Sequence, residues 1–110
     1  MMAKVVLSPE ANRDLIEIGD YIAFTLRNKA ASRRMIGRLR DTMRILREFP
    51  ESGAPLDHVE PHILYRYLVC GNYLIFYHLS GACACIDRIL YGRRDYLMIL
   101  FGDQLQEGTE

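Results

Sequence analysis

The chain has 110 residues, half of them apolar or aromatic and a quarter charged, as expected of one globular domain. Fourteen basic residues balance fourteen acidic ones, so the net charge exerts no long-range pull on polyanions. No apolar run approaches the roughly 20 residues of a membrane span, Met1-Met2-Ala3-Lys4 opens no secretory segment, and three cysteines are an odd number for a disulfide framework. The expectation is a single cytoplasmic domain over residues 1–110, with a frayed tail from about residue 103.

Lys4-Val5-Val6-Leu7 is short and β-branched and predicts a strand. Ser8-Pro9-Glu10 predicts a helix start: the Ser8 hydroxyl can accept from an orphan N–H, and Pro9 at the first helical position lacks only a donor that would have no partner. Ala11, Leu15, Ile18, Ile22 and Leu26 then recur in steps of three and four, one stripe down a helix over residues 9–27. Asn28-Lys29 is a break. A second helix is predicted over residues 30–48, with Met35, Leu39, Met43 and Leu46 as its core stripe and Ile36 beside it. A link this short makes the pair an antiparallel hairpin.

The second helix carries most of the local charge. Residues 29–49 hold seven basic and only two acidic residues. At about 100° per residue, Arg33, Arg40, Arg44 and Arg47 fall within about 60° of one another. Such a face either binds an acidic partner or is a solvated surface pairing with nearby carboxylates.

Pro50 ends this helix, because it disfavours the helical conformation at Phe49, and a loop follows to about residue 62. The remainder is β-rich: a strand over 63–70, a hairpin turn at Gly71-Asn72, a strand over 73–79, a turn at Ser80-Gly81 and a strand over 82–91. These strands are apolar on both faces. One face should pack on the helix hairpin, and the other should lie exposed as an interaction site. A short helix over 96–101, capped by Asp95, is expected before the tail. The order is β–α–α–β–β–β: an α+β domain with the helix hairpin on a mostly antiparallel four-stranded sheet.

Arg66 and Arg88 interrupt apolar strands, where an arginine either reaches a sheet edge or pairs with a carboxylate such as Asp87 or Asp95. A two-residue turn at Gly71-Asn72 sets Arg66 opposite Tyr77, and a three-residue turn sets it opposite Phe76. Cys83-Ala84-Cys85 reads as small buried side chains rather than metal ligands, because His58, His62 and His78 stand elsewhere. The aromatic run Tyr65, Tyr67, Tyr73, Phe76 and Tyr77 suits a core or a protein contact better than base stacking. No phosphate loop, serine triad or paired-carboxylate motif stands out. No cofactor, metal or catalytic residue is expected.

The element order resembles the RelE/ParE toxin superfamily of type II toxin–antitoxin systems, over about residues 5–100. The phrases that carry the resemblance are Leu7-Ser8-Pro9-Glu10-Ala11 with Asp14-Leu15 and Ile18, Asp20-Tyr21-Ile22, Phe49-Pro50 with Gly53, Tyr65-Arg66, residues 73–77, and Arg88-Ile89-Leu90-Tyr91-Gly92-Arg93-Arg94-Asp95. The resemblance implies a toxin silenced by a cognate antitoxin. ParE-like members act on DNA gyrase, and RelE-like members cut messenger RNA in the ribosome. The neutral charge favours the ParE branch, since phosphate neutralisation dominates affinity for RNA. So does the middle strand: where RNA-cutting members resemble one another in a basic residue after Gly-Tyr, this chain has Leu74 after Tyr73. The region of their late acid–base residue reads Leu97-Met98-Ile99, and RNA cleavage needs a base, an acid and a cation. The expectation is a gyrase poison with a ParD-like antitoxin rather than an enzyme. The alternatives are a ribosome-dependent endoribonuclease and a degenerate toxin that only binds antitoxin. Arg66, Arg93 and Arg94 are the candidate target contacts, and Arg33, Arg40 and Arg44 the candidate antitoxin contacts.

Overall fold

The structure is a computed structural model that describes residues 2–56 and 64–92. Its elements are β1 (Lys4–Leu7), α1 (Pro9–Asp20), a π-helical turn (Tyr21–Thr25), α2 (Lys29–Arg44), a 3-10 turn (Ile45–Arg47), β2 (Ala54–Leu56), β3 (Tyr65–Cys70), β4 (Tyr73–Ser80) and β5 (Cys83–Tyr91). The expected order is borne out, with one strand added. The expected helix over 96–101 lies outside the described residues.

The first helix starts as its sequence dictates. Ser8 is its N-cap, the hydroxyl accepting from the Ala11 N–H at 2.9 Å, with Pro9 in the first turn. Its far end departs from expectation. At Tyr21 the ladder widens to i→i+5, the Leu26 N–H donating to the Tyr21 carbonyl at 3.0 Å. The wider turn breaks the 3.6-residue phase, so Ala11, Leu15 and Ile22 are buried whereas Leu26 is turned outward. The chain then reverses through Arg27, whose φ of 54° is unusual for a residue with a Cβ. Asn28 caps α2 by accepting from the Ala31 N–H.

The sheet has five strands in the order β1-β5-β4-β3-β2, all neighbours antiparallel except β1 and β5. The fifth strand, β2, falls where a loop was expected. Pro55 argues against a strand interior, but β2 is an edge strand, where a missing N–H is tolerated. The turn at Gly71-Asn72 has two residues, with Gly71 at φ 60°, so Arg66 stands opposite Tyr77. The next turn is Gly81-Ala82, one residue later than expected, because Ser80 pairs with Cys83. Between Tyr77 and Phe76 the partners on β5 jump from Ile86 to Arg88, which leaves Asp87 as the extra residue of a bulge.

The main core lies between the helix hairpin and one sheet face, built from Leu39, Met43, Leu46, Ile75, Tyr77 and Ile86 with their neighbours. Met35 and Ile36 are only partly buried. The opposite face is not the open surface expected. Leu74, Phe76 and Leu90 are buried there with Leu56, and Tyr65 and Tyr67 pack against them. On that face exposure falls at Val6 and Val69. No described helix is long and apolar enough to cross a membrane.

Candidate functional site

The first helix is fastened to β5 where that strand runs past the end of β1. There the ladder has no strand to supply partners, and α1 with its N-cap supplies them, a donor for one carbonyl and an acceptor for one N–H. Ser8 Oγ donates to the Asp87 carbonyl at 2.9 Å. Asp14, nearly buried, accepts from the Ile89 N–H at 2.9 Å, from Arg88 Nε at 2.7 Å and from Arg88 Nη2 at 2.9 Å. Arg88 was expected either to reach a sheet edge or to pair with a carboxylate such as Asp87 or Asp95; it does pair with a carboxylate, but the partner is Asp14, and Asp87 pairs elsewhere. The hydrogen bonds it donates to Asp14 hold the Arg88 guanidinium pKa above its ordinary value, against the opposing effect of burial.

Beyond this clamp a cleft of about 770 Å³ opens between the end of α1, the π-helical turn, the start of α2 and the ends of β4 and β5. Its wall is largely apolar, including Ile18, Ile22, Met35 and Ile89, with the Asp14–Arg88 pair and the exposed Glu17 as its charged features. Tyr21, Leu26 and Tyr91 line it and are each more than half exposed. Tyr91 stands edge-on to Tyr73 at 5.3 Å. Burial, then the nearby Tyr91 and Tyr21 hydroxyls, raise the Tyr73 pKa. The π-helical turn gives the cleft its shape, since it turns Leu26 out of the core stripe and to the cleft rim beside Tyr21.

The candidate residues fall in separate places. Arg66 Nη1 donates to the carbonyls of Glu51 (3.0 Å) and Gly53 (2.9 Å), bracing the segment before β2. Tyr77 braces the same segment: its hydroxyl donates to the Pro50 carbonyl at 2.7 Å and accepts from the Gly53 N–H at 2.9 Å. Arg93 and Arg94 lie outside the described residues. Arg33, Arg40 and Arg44 are all exposed on α2. Arg40, Arg44 and Arg47 gather along a trough floored by Val5, Leu7 and Met43, and Arg33 does not join them. Arg44 also reaches Asp41 at 3.1 Å in a solvated i,i+3 pair, which adds little stability.

One pair went unread in the sequence. His78 Nδ1 and Asp87 Oδ2 lie 2.8 Å apart on the sheet face opposite the helices. Burial raises the Asp87 pKa more than the imidazole lowers it. Tyr65 meets the imidazole edge-on at 5.7 Å. The signal was present but needed the correct turn: with Gly81-Ala82, His78 falls opposite Cys85 and two positions along the strand from Asp87. Cys83 and Cys85 are half-buried rather than buried, with thiols 3.6 Å apart, whereas Cys70 is buried. Burial raises the Cys85 thiol. Among the described residues no cluster of three or more metal-binding side chains forms.

A helix hairpin clamped over one face of a small sheet, with an apolar cleft ringed by exposed side chains, defines a small α+β domain. The model of the family described as "ParE toxin of type II toxin-antitoxin system, parDE" matches residues 5–96, and the chain belongs to that family. Among solved structures, a chain described as "Chromosomal ParDE TA system from P. aeruginosa" superposes with a TM-score of 0.70 at 18% identity. That alignment covers 84% of this chain and 98% of the other, and at this identity it supports the fold alone. No curated protein matches the sequence.

Proposed function

We propose that the chain is a toxin held silent by a cognate ParD-like antitoxin, and that its cytoplasmic target is DNA gyrase. The observation that carries the antitoxin reading is the 770 Å³ apolar cleft lined by exposed Tyr21, Leu26 and Tyr91. A surface of this kind is unfavourable in water and suits a partner that buries on the order of 1,200 Å² or more in total. Arg33, Arg40 and Arg44 are the proposed cations for acidic residues of that antitoxin. Arg66, Arg93 and Arg94 are the proposed contacts to the gyrase–DNA complex.

The gyrase reading draws support from the zero net charge and from the engagement of one strand arginine, Arg88, with Asp14 in the fold. Expression without the antitoxin tests it. Filamentation, a DNA-damage response and cleaved gyrase–DNA complexes are expected. Rapid loss of translation with cut, ribosome-associated messages would refute it in favour of the nuclease reading. One observation favours that second reading: His78 and Asp87 form the kind of acid–base pair that 2′-hydroxyl attack requires. His78→Ala leaves a gyrase poison toxic and disarms a nuclease. No toxicity from the folded chain would favour the degenerate toxin that only binds antitoxin.

A further inference from the structure

The sheet face turned away from the helices carries two thiols. Cys83 and Cys85 open β5 on either side of Ala84, which is fully buried in the main core. Residues two apart on a strand share a face, and the Cys85 thiol donates to the Cys83 sulfur at 3.6 Å. Both side chains are half-buried, so a small reagent in water can reach them. The ladders set Lys4 and Val6 of β1 on one side of the pair and Ser80 and His78 of β4 on the other. Among the described residues no group of three or more metal-binding side chains forms, so the feature of this patch is the two sulfurs themselves. Cys83 also lines a hollow of about 350 Å³ with Met2, Glu51, Leu79 and Ala82, and Cys85 does not. Burial, then the bond to Cys83, raises the Cys85 thiol. Access and protonation together make Cys83 the sulfur that reacts first.

Strand geometry limits what this pair can become. The Cα atoms of residues i and i+2 in a strand lie about 6.6 Å apart, at the far end of the roughly 4.4–6.8 Å that a disulfide spans. The sulfurs must also close from 3.6 Å to about 2.05 Å. Closing them puckers β5 at Ala84, which is packed in the core and pairs with Val5 on one side and Leu79 on the other. A disulfide strained in this way is readily reduced again, which is the property of reversible bridges and not of structural ones.

We propose that Cys83 and Cys85 form a reversible redox site, which a low-molecular-weight disulfide converts into an in-strand disulfide that weakens the pairing of β1 with β5. The Cys83 thiolate attacks one sulfur of the reagent, forming a mixed disulfide and releasing one small thiol. The Cys85 thiolate then attacks the Cys83 sulfur, closing the protein disulfide and releasing the second small thiol. The protein gives up two electrons and two thiol protons, and the two small thiols carry them away. The site lies on the sheet face opposite the helices and does not depend on the proposed toxin role.

Incubation of the reduced, folded chain with excess 2-hydroxyethyl disulfide at mildly alkaline pH tests the proposal. The intact mass should fall by two hydrogen atoms, with the loss in the peptide that holds Cys83 and Cys85 and with the buried Cys70 still a thiol. Dithiothreitol should restore the original mass. The oxidised chain should melt lower by roughly 4 °C or more, and its Val6 amide, across the ladder from Cys85, should exchange faster. Cys85→Ser should stop at the mixed disulfide on Cys83 and keep most of its Tm under the same treatment. A wild-type product that stays a mixed disulfide, or two thiols that remain unreacted, overturns the redox site. A bridged product whose Tm is unchanged or raised overturns the strained, reversible bond. A Cys85→Ser chain that loses as much Tm as the wild type overturns the bridge as the cause.

Discussion

The clamp between α1 and β5 can be taken apart one group at a time. Asp14→Ala removes three hydrogen bonds, strands the Arg88 guanidinium and orphans the Ile89 N–H, which lies in the core. Breaking one partner of a buried ion pair costs about 3–5 kcal/mol. The low end applies, because the Arg88 side chain keeps 29% exposure and can turn toward water. The orphaned amide contributes on the order of 1 kcal/mol more. A total of about 3–4 kcal/mol, set against roughly 0.23 kcal/mol per kelvin for 110 residues, lowers Tm by about 13–17 °C. Thermal unfolding of Asp14→Ala, Arg88→Ala and the double variant measures the coupling. Once Asp14 is gone, losing Arg88 should cost no more than about 1 kcal/mol further, so the single effects should not add. Single losses that sum in the double variant to within about 0.5 kcal/mol would refute the clamp.

Other predictions follow from individual positions. Gly53→Ala should destabilise by about 2 kcal/mol or more, because its Cβ would lie 2.6 Å from the Tyr77 ring and 2.9 Å from the Tyr67 carbonyl, closer than packing permits; an unchanged Tm would sink this. Tyr77→Phe should cost about 1–3 kcal/mol, since the Gly53 N–H loses its acceptor in a buried place, and faster exchange of the Gly53 amide is the direct readout. Arg27→Gly should raise stability by roughly 0.5–1 kcal/mol, because glycine adopts φ 54° without penalty, and urea titration of both proteins checks it. For Asp87 the folded pKa is raised above its ordinary 3.8. The native state therefore holds that proton more tightly than the unfolded chain. This contribution is full below the unfolded pKa and is lost as pH rises through the folded value. Relative to Asp87→Asn, which does not titrate, the wild type should be most favoured near pH 3.5 and should lose ground as pH rises past the raised value. A stability difference that stays flat from pH 3.5 to 7 would contradict the direction.

Much of the fold was legible because its signals are local. Ser8-Pro9 caps α1, and Gly71-Asn72 marks the β3–β4 turn, each from chemistry contained within a few residues, while the choice between a two-residue and a three-residue turn, and with it the register, came from the structure. What escaped depended on non-local geometry. The π-helical turn has no local sequence signature and shows itself only by turning Leu26 out of the stripe. β2 was hidden by Pro55, whose missing N–H matters only if the strand lies inside a sheet. The partner of Arg88 lies 74 residues away, on the other side of a bulge. The His78–Asp87 pair required the Gly81-Ala82 turn, and a one-residue slip in that turn changes which side chains share a face. The arginines of α2 were legible as one face but not as two groups. Their division follows from which of them lie alongside β1.

Among the described residues, part of the exposed apolar surface is gathered in two places: Tyr21, Leu26 and Tyr91 surround one cleft, while Met2 and Val6 lie on or beside β1. A domain this small has little apolar surface to spare from its core. Leaving it in water at these places lowers the stability of the free chain, and a bound partner would add stability that grows as the logarithm of its concentration over Kd. The clamp explains how the domain tolerates this. Asp14 and Ser8 fix α1 to β5 through backbone and ionic contacts that do not depend on the cleft being filled. The cleft wall is therefore held in shape before a partner arrives, which reduces the ordering cost of binding. The same division assigns separate jobs to the arginines: Arg88 is committed to the fold, while Arg40, Arg44 and Arg47 stand free of the core and beside an open strand edge.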